Sequence, residues 1–311
     1  MNDLILIILN VFGFVIIGYV IQKLKIFPNY LVKWFDFTSF NILLPLALIT
    51  YFWKIEFPNI PIVNLMFSFF GAGIIVFAIC FFISLIFLKF KIDNCALMGL
   101  GSCFGNSVAL GIPLMYSVLG PTQSMPYMIL VFFHGFIHFT YTTVIIEGYR
   151  NRNSSYLLII LKTIYGLFKN IVLFGMFIGI TLNFSSINPP KTLGMLLDML
   201  AIFALPAVLI SLGMALSNFK VSQYVNFSLL LTSLKNFAHP IIAFILAKYI
   251  FIMSPTLIFI ITLAAALPSG SQTYYFSYRY NAIKEIISAN IVISTFVSFI
   301  TIPIILFLFG Y

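Results

Sequence analysis

The chain has 311 residues, 62% of them hydrophobic and 7% charged, with a formal net charge of +9. A soluble domain carries about 25% charged residues, so a mean hydropathy of +1.14 excludes that class and points to an integral membrane protein. The apolar runs have the length of membrane-crossing helices, about 20 residues, rather than the roughly ten-residue alternating segments of a β-barrel. The basic residues lie in short polar interruptions, which argues for topology and against nucleic acid.

The apolar runs predict ten spans, at about 3–22, 32–52, 63–88, 94–118, 124–147, 169–184, 192–216, 225–251, 255–277 and 285–309. Residues 4–21 lack a basic leader region and are read as the first span, not a cleaved signal. Between the fifth and sixth spans lies the longest polar interruption, 148–168. Lys162 and Lys169 fall on one face there, as in a helix lying on the cytoplasmic leaflet. Cys80, Cys95 and Cys103 have neither disulfide nor metal-ligand spacing and are read as small packing residues.

Of the 16 basic residues, twelve fall on alternate loops: Lys23, Lys25, Lys33, Lys89, Lys91, Arg150, Arg152, Lys162, Lys169, Lys220, Arg279 and Lys284. Such a bias faces the cytoplasm, which puts both termini outside and favours ten spans over an odd number. The central loop divides the spans five and five, so the halves 1–147 and 169–311 would be inverted-topology repeats flanking 148–168. Pro45 and Pro206 are 161 residues apart, and Asp36 and Asp198 are 162 apart. The same offset carries Gly105 and Asn106 to Ala266 and Leu267, beside Pro268.

Two spans break the smooth hydrophobicity. The fourth contains Gly99, Gly101, Gly105, Gly111 and Pro113; the ninth contains Pro268, Ser269, Gly270, Ser271 and Gln272. A break at membrane depth is tolerated only where protein or a polar cavity takes over the freed backbone groups. Discontinuous helices in corresponding positions of two halves point to a transporter's binding site. Gly105, Pro113 and Pro268 are read as the break points. Ser269, Gly270 and Gln272 would cluster at a half-helix N-terminus, where free N–H groups and the dipole attract anions.

At these residues the chain resembles the auxin efflux carrier family. The matching pieces are Asn41 to Pro45, Gly105-Asn106 with Gly111-Ile112-Pro113, Leu205-Pro206 through Gly213, Lys235 through Pro240, and Leu267-Pro268. The resemblance implies an all-α fold of ten transmembrane helices in two inverted five-helix repeats, with helices four and nine crossing at their breaks. It also implies an elevator motion of a transport domain against a scaffold. Family substrates are organic anions: auxin in plants, and dicarboxylates such as malate or malonate suggested for bacterial members. The short central loop is that of the prokaryotic members.

The substrate-contacting set is read as Asn41, Ser102, Asn106, Gly111, Leu267, Ser269, Gly270 and Gln272. An amide such as Asn106 offers two donors and an acceptor, suited to a carboxylate or to capping freed backbone. Lys235 is the basic residue placed inside a span, where a charge marks function or a paired structural role. It could neutralise an anion or stand in for a coupling cation, with Asp198 or Asp36 as partner, or snorkel to the cytoplasmic edge. His134 and His138 share a helix face without a third ligand, and no metal site is expected. Tyr274, Tyr275, Tyr278 and Tyr280 read as an interfacial aromatic belt.

There is no phosphate-binding loop of the GxxxxGK[ST] type and no hydrolase motif, so neither an ATP-driven pump nor an enzyme is expected. The sequence therefore predicts a secondary carrier in the cell membrane for a small organic anion, without cofactor. The coupling ion, proton or sodium, and a homodimeric state are left open. A sodium-coupled carrier like the bile acid/sodium symporters, or a ligand sensor that moves nothing, are the alternatives.

Overall fold

A computed structural model describes residues 2–55, 59–150, 171–185, 189–219 and 224–311. The described residues form helices and no strand. In chain order these are α1 (Asn2–Lys23), α2 (Asn29–Lys54), α3 (Ile62–Ile86), α4 (Ile92–Cys103), α5 (Ile112–Gln123), α6 (Met125–Arg150), α7 (Ile171–Phe184), α8 (Lys191–Leu216), α9 (Val225–Ile250), α10 (Pro255–Ala266), α11 (Gln272–Tyr280) and α12 (Lys284–Leu308). Among the described residues, seven helices are long and apolar enough to cross a membrane: α1, α2, α3, α6, α8, α9 and α12. The described residues are helical throughout their regular structure, consistent with an integral membrane protein. The proposed surface helix carrying Lys162 and Lys169 lies outside the described residues.

The fourth and ninth runs are each built as two short helices, α4 with α5 and α10 with α11. At 105–113 and 267–271 proline lacks the N–H and glycine the stiffness that would carry a helix through. Elsewhere proline is absorbed differently. Wide π turns at Ser39–Leu43, Ser107–Gly111 and Leu234–Ala238 stand immediately ahead of Leu44-Pro45, Ile112-Pro113 and His239-Pro240. Each wide turn shifts the hydrogen bond by one residue: Leu44 N–H reaches the Ser39 carbonyl and His239 N–H the Leu234 carbonyl. Two long helices thereby continue past their prolines.

The helices pack in two groups, each drawing on both halves of the chain. In the first, α1 lies along α8, and α2 lies along α7 and α8. Glycine makes this possible. A Cβ added at Gly213 would stand 2.0 Å from the Val15 carbonyl oxygen, and one at Gly18 would stand 1.9 Å from that of Ile210. Helices in lipid associate by such close backbone approach, because lipid is as apolar as their side chains. The second group comprises α3, α4, α6, α9, α10, α11 and α12. Its interior holds the buried polar residues Asn106, His134, His138, Lys235, Asn236, His239, Ser269, Asn290 and Ser294.

At one end of the second group, Arg150 closes α6. Its guanidinium donates through Nε (2.9 Å) and Nη2 (2.6 Å) to the Asp93 carboxylate at the start of α4. Through Nη1 it donates to the Tyr280 carbonyl at the end of α11, 2.9 Å away. Tyr275 and Tyr278 are exposed as an aromatic belt requires, whereas Tyr280 is buried and Tyr274 packs on the Phe219 ring.

Candidate functional site

The two breaks face one another. α4 gives way at Phe104 and α10 at Leu267 to extended backbone. There Gly105 and Ser269 form an isolated antiparallel bridge. Asn106 N–H donates to the Pro268 carbonyl at 2.8 Å, and Gly270 N–H to the Phe104 carbonyl at 3.0 Å. The chain then turns back into helix: Leu110 and Gly111 N–H both reach the Asn106 carbonyl. Each break thus satisfies the other's freed backbone, as the membrane interior demands. Gly270 is required for this approach, since a Cβ there would stand 2.9 Å from the Gly105 carbonyl oxygen and 2.8 Å from the Phe104 ring.

Serine and asparagine side chains hold the crossing from outside. Ser269 Oγ donates to the Gly101 carbonyl at 3.1 Å, and Asn290 Nδ2 donates to the same oxygen at 3.0 Å. Ser294 Oγ accepts from Ser269 N–H at 3.0 Å, while Asn236 Nδ2 donates to the Ser294 carbonyl at 3.1 Å. Thr232 Oγ1 donates to Asn290 Oδ1 at 3.0 Å, and the Tyr127 hydroxyl caps the Ser107 carbonyl at 2.6 Å. Asn290, Ser294 and Tyr127 were not singled out from the sequence. The signal was there: Asn290 is an amide in the middle of the last apolar run, and polar groups at that depth need a reason.

Six of the predicted residues meet, and the others lie around them. Gly105, Asn106, Leu267, Pro268, Ser269 and Gly270 form the crossing itself, all buried. Ser102 is buried in α4 and bonds the Gly99 carbonyl of its own helix at 2.7 Å. Gly111 is filled from outside: a Cβ there would stand 1.8 Å from the Tyr127 hydroxyl and 2.7 Å from Leu267. Pro113 is buried in the first turn of α5, and Gln272 opens α11. Asn41 is half-buried in the π turn of α2, where it bonds the Phe37 carbonyl.

Two amides at the crossing are left with an idle end. Among the described residues, Asn106 Oδ1 and Gln272 Oε1 are buried without a hydrogen-bond partner, as is Asn236 Oδ1 on α9. Asn106 stands where the first arm turns into helix and Gln272 at the first residue of the second. A half-turn about the terminal bond lets such an amide offer its NH2 group in place of its oxygen. Both therefore present recognition capacity beside helix N-termini, the ends that favour an anion.

Lys235 lies in the π turn of α9 and is fully buried. Its Nζ donates to the Ala265 carbonyl in the last turn of α10 at 2.5 Å, and lies 3.3 Å from His239 Nδ1. A Cβ on Gly105 would stand 3.6 Å from the same nitrogen, so the ammonium sits against the crossing and does not snorkel. His134 and His138 stand ring to ring at 4.6 Å, and His134 is 4.3 Å from the Phe104 ring.

The expected pairing of Lys235 with Asp198 or Asp36 is corrected. Asp198 receives Lys54, whose Nζ is 2.6 and 2.7 Å from its two oxygens. Asp36 accepts the Ser211 hydroxyl. The reason is depth. Asp198 lies in the early turns of α8, level with the last turn of α2, and its side chain is 56% exposed. Lys235 lies about ten residues into α9, out of its reach.

A cavity of about 380 Å³ opens where α2 and α8 face α5. Leu48, Tyr51 and Lys54 of α2, Asp198 and Leu205 of α8, and Ile112 and Tyr116 of α5 line it. Its walls are mostly apolar, its charged pair is Lys54 with Asp198, and its α5 wall begins one residue before Pro113.

Interrupted helices that meet at a buried crossing are a recurring feature of membrane transporters. The chain belongs to the family described as membrane transport protein, whose model matches residues 4–306; this is the auxin efflux carrier family that the sequence resembles. Among curated proteins, it is similar to a protein of Rhizobium meliloti (strain 1021) described as "Putative malonate transporter". The two are 22% identical over 301 residues, covering 97% of this chain and 94% of the relative.

Proposed function

We propose that the protein is a secondary carrier that moves a small mono- or dicarboxylate across the cell membrane by alternating access. The observation that carries this reading is the pair of idle buried amides, Asn106 and Gln272, beside half-helix N-termini at the crossing. A carboxylate needs several donors and no competing anion. The amide ends of α11 and of the turn leading into α5 provide N–H groups, and the amides can supply the rest. Malonate is the first candidate substrate, because the relative's name includes it.

The packing supports a reading of the motion. α1, α2, α7 and α8 would act as a scaffold held by glycine contacts, and the helices bearing the crossing would travel against it as an elevator. The cavity at Lys54, Tyr116 and Asp198, where α2 and α8 face α5, would be the approach for substrate. In this reading ten spans form two inverted repeats, 1–147 and 169–311, joined through 148–168, with both termini outside.

The test is uptake of radiolabelled malonate into proteoliposomes, with malate and an aromatic acid as competitors. Saturable uptake that Asn106→Ala weakens is the expected result. Saturable binding without flux would favour a sensor, and uptake that collapses when sodium is replaced would favour a sodium symporter.

A further inference from the structure

The crossing has two electrostatic poles. α5 and α11 begin beside it and point amide ends towards it, whereas α4 and α10 end there and point carbonyl ends. Carbonyl ends carry partial negative charge and attract cations within the last turn. What stands at this pole is the ammonium of Lys235. It donates to the Ala265 carbonyl at 2.5 Å and lies against Gly105, two residues beyond the end of α4. The carboxylates Asp93 and Asp198 are taken by Arg150 and Lys54, and Asp36 by Ser211. Among the described residues Lys235 has no ion-pair partner, and its Nζ is met by the Ala265 carbonyl and His239 Nδ1.

We propose that Lys235 is a tethered cation, occupying the position beside the C-terminal ends of α4 and α10 in which the Ala265 carbonyl would otherwise help to hold a free alkali cation. With the charge built into α9, the crossing is electrostatically complete for an anion without sodium. This deepens the carrier reading: on that reading, transport is sodium-independent. The cation position itself requires no substrate to be identified.

The geometry makes removal of the ammonium informative. Truncating Lys235 to alanine or serine leaves the Ala265 carbonyl without its donor, next to two helix C-termini, in a space the length of the lost side chain. A small alkali cation fits that space and that polarity. Lys235→Met refills the space with an apolar chain and leaves no room for an ion.

The experiment is thermal unfolding of the purified full chain in detergent, in sodium chloride and in choline chloride at equal ionic strength. Wild type and Lys235→Met are expected to melt alike in both salts. Lys235→Ala and Lys235→Ser are expected to melt several degrees higher in sodium, because a bound cation stabilises the folded state by mass action. Small variants that are monodisperse only in sodium would support the proposal equally. Small variants that melt alike in both salts, or aggregate in both, overturn it. So does a sodium response of the same size in wild type or Lys235→Met. None of these readouts depends on malonate, so an absence of malonate uptake would refute the substrate assignment and leave this inference standing.

Discussion

The two groups of helices bury different things. The α1, α2, α7, α8 group is held by backbone contact at glycines, with its ion pair, Lys54 and Asp198, left at the rim. The group around the crossing buries an ammonium, three histidines and a set of hydroxyls and amides. Polar groups in lipid are expensive and are kept where they act. The contrast teaches that shape is the first group's contribution and chemistry the second's.

That division can be broken from either side. Gly213→Leu forces a side chain into the Val15 carbonyl, and overpacking of this kind costs about 1–3 kcal/mol or more. With no route of relief between two backbones, we expect loss of the monodisperse peak on size exclusion in detergent. Lys235→Met should leave that peak intact and reduce anion uptake on the order of 100-fold, a charged hydrogen bond being worth about 1.5–3 kcal/mol; wild-type flux would remove Lys235 from the mechanism. Asn106→Ala removes one amide from the set and should weaken malonate affinity on the order of tenfold, read by titration of the thermal shift. Lys54→Gln deletes a solvated pair worth about 0–1 kcal/mol, so stability and flux should change less than about fivefold. A larger loss of flux would bring the cavity rim into substrate binding and blur the contrast.

Much of the crossing was legible because its residues violate the pattern around them. Gly105, Pro113 and Pro268 interrupt apolar runs, and the 161-residue offset between Pro45 and Pro206 draws attention to the matching interruption. The glycine contacts of α1 and α8 were not legible, since Gly18 and Gly213 look alike whether they touch backbone or lipid. Nor was the partner of Asp198. A carboxylate's depth depends on how far each helix is shifted along its neighbour, and Lys54 lies 144 residues away in the chain. Asn290 and Ser294 escaped because a single polar residue in an apolar run does not state which helix it faces. The three π turns escaped as well: proline announces a disturbance, but the widened turn that absorbs it is a property of the folded helix.

Arg150 gives the crossing a second point of attachment. α4 and α11 meet at the backbone bridge in the middle of the molecule, and the Arg150 fork joins the start of one to the end of the other. Two bars pinned at one point can scissor; pinned at two, they form a truss. On this face the angle between the arms is fixed. On the carrier reading proposed above, a substrate lodged between them would be carried, not squeezed.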